Sequence, residues 1–127
     1  MSERKLQVKV KGAPKVVVVG PCASGKTTLV DRLRALGVDA WVSGQEHSAV
    51  RNLWRRLDPD VLIALELDLA TLRSRRSPSW PQTIYDVQLE RLREAFAGAD
   101  VVINTAVLTE DEVVNKAVNV LERYRSN

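Results

Sequence analysis

Gly20-Pro21-Cys22-Ala23-Ser24-Gly25-Lys26-Thr27 is the segment of this chain whose residue types and spacing can do chemistry. Two glycines separated by four residues let the backbone curl closely around an anion, and Lys26 and Thr27 after the second glycine add an ammonium and a hydroxyl. Successive N–H groups of such a loop, with the start of a following helix, direct partial positive charge at one place, which suits a phosphate. Lys26 can then reach β- and γ-phosphate oxygens, and the Thr27 hydroxyl can complete the shell of a Mg²⁺ ion bridging them. With ordinary usage of Gly, Lys, Ser and Thr, the four fixed positions match by chance about once in 10⁴–10⁵ windows. A plain strand-to-helix turn therefore does not account for them. The expected anion contacts are Gly20, Ala23, Ser24, Gly25, Lys26, Thr27 and Thr28.

Such a loop needs a buried strand before it and an amphipathic helix after it. Val16 to Val19 are four β-branched residues without alternation, the pattern of a strand buried on both faces of a parallel sheet. Leu29, Val30, Leu33 and Leu36 give the following helix one apolar face, with Gly37 where a left-handed C-cap is wanted. Asp39 to Val42 is a short second strand. Ser43 to Ser48 is polar loop, and Ser48 can cap a helix with apolar face Val50, Leu53, Trp54 and Leu57 that stops at Asp58-Pro59. Val61 to Leu67 is a third strand, and Leu69 to about Arg76 a short helix. The stretch 77–82, rich in Ser and Pro, is a short lid-like loop. Thr83 to Asp86 has capping-box form and opens a helix using Val87, Leu89, Leu92, Ala95 and Phe96; Val101 to Ile103 is the fourth strand. Thr109 to Glu112 is a second capping box, before a helix with Val113, Val114, Ala117, Val118, Leu121 and Tyr124 buried. Strands and helices alternate four times, which predicts a three-layer α/β/α sandwich with a mainly parallel sheet of four to five strands.

The 127 residues, 45% apolar, make one globular domain over 1–127, with 1–14 a basic arm or edge strand in which Leu6, Val8 and Val10 alternate with polar residues. Cys22 and His47 are the single cysteine and histidine, too few for a Cys/His zinc site, and one thiol implies a reducing setting. With no long apolar run and no secretory pattern at the start, a cytoplasmic location and no membrane partner are expected. Residues 1–15 carry five Lys/Arg against one Glu, leaving 14 basic against 15 acidic residues elsewhere. Nucleic acid is therefore not indicated as a partner, although the basic arm and Arg51, Arg55 and Arg56 are the residues such a partner would use.

The loop and its context resemble the P-loop NTPase superfamily. Neither the Asn/Thr-Lys-x-Asp nor the Asp-x-x-Gly string of guanine-specific switches occurs, and what remains is similar to the small nucleoside and nucleotide kinases. In those, a strand like Val61 to Leu67 is followed by an acidic residue and an Arg-bearing helix, here Asp68 to Arg76, then a lid, a helix and a strand like Ala99 to Thr105. Gly20 to Thr28 together with Gln45 to Ser48 is also similar to a set of small bacterial P-loop proteins, which supports the fold and names no substrate.

The resemblance implies ATP or GTP with Mg²⁺, Lys26 on the donor phosphates, and phosphoryl transfer to a small-molecule acceptor. Arg75 and Arg76, ahead of Arg73, would clamp the transferring charge. The backbone of 104–107 would hold the base edge. No hydrophobic run ends in the lone Asp these kinases place beside the loop. With sheet order second, first, third, fourth, the second strand delivers Gln45-Glu46-His47 to the crevice, making Glu46 the acid, through a metal-bound water or as a base. Asp68 is the runner-up, and burial of Glu66 would signal a pair with it. Cys22 is either a small filler or a thiol activated by the helix N-terminus. The alternative is a nucleotide-binding switch or partner-binding module with little turnover. Oligomeric state, acceptor and preferred base are not encoded in any motif.

Overall fold

In the computed structural model, which describes residues 14–126, four parallel strands form one sheet in the order β2-β1-β3-β4. The strands are β1 (Lys15–Val19), β2 (Asp39–Val42), β3 (Val61–Glu66) and β4 (Val101–Asn104), and the helices are α1 (Lys26–Ala35), α2 (Leu69–Arg75), α3 (Gln82–Ala97) and α4 (Glu110–Ser126). This is the order on which the delivery of Gln45-Glu46-His47 to the crevice depends. The expected edge strand around Leu6 to Val10 lies outside the described residues.

Register follows from the apolar runs. Val16 pairs with Ala40 on one side and Val61 on the other, and Val18 with Val42 and Ile63. Aspartates stand just before two strands and pin the ends of the ladder: Asp60 Oδ2 accepts from Lys15 N at 2.8 Å, and Asp100 Oδ2 from Leu62 N at 2.7 Å.

Both faces of the sheet are covered, making three layers. Val16, Val18, Ile63, Leu65 and Ile103 pack with Leu29, Leu33, Val113, Ala117 and Leu121 of α1 and α4. Val17, Val19, Leu62 and Ala64 pack with Trp54 and with Leu92 and Ala95 of α3. Val16 to Val19 have no exposed surface, as the unbroken run requires. Each such side chain contributes roughly 1.5–3 kcal/mol of transfer free energy. α1 ends as expected: Gly37 has φ 86°, its N–H reaches Arg34 O and that of Val38 reaches Leu33 O. Leu36 falls on the cap and is exposed rather than buried.

Three expectations are corrected. Residues 48–57 form no α-helix; two 3₁₀ turns, Gln45–His47 and Leu53–Leu57, take its place, and Ser48 Oγ accepts from Val50 N in a local turn. Buried Gln45 is the reason: its amide donates to Val50 O at 2.7 Å and accepts from Trp54 N at 3.0 Å, replacing helical bonding. Thr83 caps nothing, because α3 already starts at Gln82 after Pro81, whose fixed φ suits a helix entry. The buried stripe of α3 is Gln88, Leu92 and Ala95, while Val87 and Leu89 face outward. The second capping box forms: Thr109 N donates to Glu112 and Glu112 N to Thr109 Oγ1. No helix among the described residues is long and apolar enough to cross a membrane.

Candidate functional site

Because all four strands are parallel, the segments after β1, β2, β3 and β4 meet at one edge of the sheet, and a cleft opens there. Cys22, Lys26, Thr27, Glu46, His47 and Arg76 are on its walls, with Trp80 at the far side, and its volume is about 770 Å³.

The β1–α1 loop is shaped by its backbone. Ala23 (φ 64°) and Gly25 (φ 94°) are left-handed on either side of Ser24, an alternation found in anion nests, while the Cys22 N–H is held by Gln88 Oε1 and the Ser24 N–H by Pro21 O. Ala23 carries strain of about 1 kcal/mol or more for this. Gly20 is needed for space, since a Cβ there would lie 2.6 Å from Ser24 Oγ and 2.9 Å from Leu65 O. No side chain caps α1, so its first N–H groups are left to the loop.

Lys26 folds back over this loop. Its ammonium donates to Gly20 O at 2.7 Å and Pro21 O at 3.1 Å, and pairs with Glu46 Oε2 at 2.8 Å. Three donors thus meet three acceptors. Glu46 is 3% exposed, delivered by the 3₁₀ turn after β2, as the sheet order predicts. Its second oxygen, Oε1, is buried with no hydrogen-bond partner. Leaving a carboxylate oxygen so costs about 1–3 kcal/mol or more, which marks a place meant for a further donor or cation.

His47 is exposed beside this pair. Its Nε2 lies 3.4 Å from Glu46 Oε2 and 3.9 Å from Cys22 Sγ. The fold therefore adds a carboxylate to the single cysteine and histidine that the sequence left apart.

The remaining predicted residues divide. Thr27 and Thr28 are exposed on the first turn of α1 and line the cleft. Arg75 is not free: Nη1 donates to Ala23 O at 2.9 Å and Nη2 to Thr105 O at 2.7 Å, bridging the loop to the end of β4. Arg76 faces the cleft, and among the described residues its side chain has no hydrogen-bond or ion-pair partner. Arg73 donates to Trp80 O and anchors the 77–82 loop. Asp68 is not brought into the cleft. It is exposed and caps α2, with Thr71 Oγ1 donating at 2.6 Å, and this bond holds its pKa below the usual carboxylate value. Glu66 is exposed, so it forms no buried pair with Asp68. A second cavity of about 330 Å³ lies on the other side of the loop, between Ala23, Thr28, Arg75, Thr105, Leu108 and Val113.

Two residues that position the site were not foreseen. Buried Gln88 accepts from Cys22 N and donates to Cys22 Sγ, and Arg91 donates to Glu46 O at 3.4 Å. The available signal was a glutamine four residues before Leu92, on the face that turns inward. Comparison with known proteins finds no matching family model, no matching curated protein and no matching solved structure.

Proposed function

We propose that this chain is a P-loop nucleotide-binding protein of kinase-like form, taking ATP or GTP with Mg²⁺ and transferring phosphate to a small acceptor. The observation that carries the reading is the buried Lys26–Glu46 pair, 2.8 Å apart, set over the left-handed turns of the loop with buried Glu46 Oε1 unpartnered.

The residues fit such a ligand. The loop takes the phosphates through the N–H groups of Ala23 and of Gly25 to Thr28, which are not engaged elsewhere as those of Cys22 and Ser24 are, and Lys26 exchanges two carbonyl partners for phosphate oxygens. The base takes the 330 Å³ cavity beside Thr105 and Leu108. Thr27 and Glu46 are the residues that would hold Mg²⁺, which when bound neutralises charge on the β- and γ-phosphates. In this reading Glu46 is the base, accepting the proton of an acceptor hydroxyl as its oxygen attacks the γ-phosphorus and the bond to the bridging oxygen breaks. Arg76 meets the transferring charge, and Arg75 acts as a positioning residue because its guanidinium is held by main chain. A cytoplasmic setting suits this chemistry.

One observation favours binding with little turnover: Glu46 is the sole carboxylate on the cleft wall among the described residues, and Lys26 already neutralises it. The two readings separate experimentally. Thermal shift with ATP, GTP and ADP plus Mg²⁺ should show stabilisation for at least one nucleotide, about 2.7 kcal/mol at a hundred times Kd. Lys26→Ala should weaken binding about 10- to 150-fold. Nucleotide binding with turnover at background for every acceptor, unchanged by Glu46→Gln, selects the switch; no response to any nucleotide or phosphate rejects both.

A further inference from the structure

Three donors of different chemistry converge at the rim of the loop. Cys22 Sγ, His47 Nε2 and a Glu46 carboxylate oxygen all lie within 4.8 Å of one another. We infer that these three residues form a binding site for a thiolate-preferring divalent ion of the zinc class.

The distances suit the ion. Bond lengths of about 2.3 Å to sulfur, 2.0–2.1 Å to imidazole and 2.0–2.2 Å to carboxylate in a tetrahedron put nitrogen and oxygen about 3.4 Å apart, and sulfur about 3.6 Å from either. His47 Nε2 stands 3.4 Å from Glu46 Oε2 and 3.9 Å from Cys22 Sγ. Cys22 Sγ and the Glu46 carboxylate, within 4.8 Å of each other, must draw together by side-chain rotation, and the exposed imidazole follows by a small movement.

Independent support comes from Glu46 itself. Its side chain is 5% exposed; Oε2 is already paired with Lys26, and Oε1 has no partner, so Oε1 is the oxygen left for the ion. The ligands are also held from behind, as metal ligands usually are. Gln88 Nε2 donates to Cys22 Sγ at 3.2 Å and Arg91 to the main-chain oxygen of Glu46. Three protein ligands leave a fourth position for water or another ligand, and a space of about 430 Å³ adjoins Cys22 and His47. A softer ion is selected over Mg²⁺ because sulfur and imidazole are poor ligands for the latter.

The inference requires no nucleotide, although it shares Glu46 with the function proposed above. Cys22 and His47 are the chain's single cysteine and histidine, so any thiolate or imidazole signal is theirs. The test is titration of the full, nucleotide-free chain with Co²⁺ as spectroscopic probe, followed by Zn²⁺. The expected result is a sulfur-to-cobalt charge-transfer band, displaced by Zn²⁺ and absent in Cys22→Ser. His47→Ala should weaken Zn²⁺ binding at least about tenfold. In the unmutated chain, Zn²⁺ should slow alkylation of Cys22 at least about tenfold, and a chelator should restore it, which reads the site without a variant. Lys26→Ala should keep the cobalt band while losing the nucleotide response, so the two claims fail separately. A cobalt spectrum without the sulfur band, or Cys22 alkylation indifferent to Zn²⁺, overturns the site.

Discussion

Gln88 grips Cys22 from both sides of its amide: Oε1 accepts the Cys22 N–H at 3.0 Å, and Nε2 donates to Cys22 Sγ at 3.2 Å. The link joins the middle of α3 to the loop after β1, 66 positions away. Gln88→Leu keeps the side-chain bulk but leaves the Cys22 N–H without its acceptor. It should lose about 1–3 kcal/mol in urea unfolding. Unchanged stability would show that water replaces the amide.

The two glycines of the loop should fail for different reasons. In Gly20→Ala the added methyl meets Leu65 O at 2.9 Å, a main-chain atom that cannot rotate away, so about 1–3 kcal/mol should be lost to overpacking. In Gly25→Ala nothing lies within 4 Å of the methyl, and the cost is the positive φ alone, about 1–2 kcal/mol. Thermal unfolding of both variants measures each loss. A Gly20→Ala protein as stable as the parent would contradict the close packing.

Lys26 and Glu46 should behave as a coupled pair. Their side chains are 10% and 5% exposed, so Lys26→Met strands a buried carboxylate and should cost roughly 3–5 kcal/mol. Adding Glu46→Leu removes the stranded charge, and the double variant should be more stable than Lys26→Met alone. A double-mutant cycle in urea reads the coupling. Strict additivity would mean that the pair is solvated.

Asp68 offers a test by pH. Its bond from Thr71 Oγ1 favours the carboxylate, so its folded pKa lies below the ordinary 3.8. A lowered folded value means that the stabilisation is complete above the unfolded pKa and is lost as pH falls through the folded one. The Tm difference between the parent and Asp68→Ala should therefore be constant near neutrality and shrink below about pH 4. A difference independent of pH down to full protonation would remove the capping role.

The sheet was readable because its signals are strong and local. Val16 to Val19 reads as a strand covered on both sides, and β2 beside β1 brings Glu46 to the crevice, whereas its pairing with Lys26 has no sequence signal. The segment 48–57 misled because its apolar spacing fits a helix, while the partner that prevents one, Gln45, lies before it and acts through two main-chain bonds. The stripe of α3 was displaced for a related reason. Val87 and Leu89 are apolar yet outward, and polar Gln88 turns in because its partner is Cys22, a contact no periodicity can express. Arg75 was expected on phosphate and is held by carbonyls, and Asp68 proved to be a cap. In both cases residue type was informative and the partner was not.

The double grip of Arg75 on Ala23 O and Thr105 O has an evolutionary corollary. Both acceptors are peptide oxygens, which every amino acid possesses, so the latch itself does not depend on the side chains at positions 23 and 105. Position 75 has no such latitude. A lysine offers a single compact head where a planar fork must span two separate strands of main chain. Among descendants of this sequence, the latch constrains the residue type of the holder and leaves that of the held positions to their own backbone and packing.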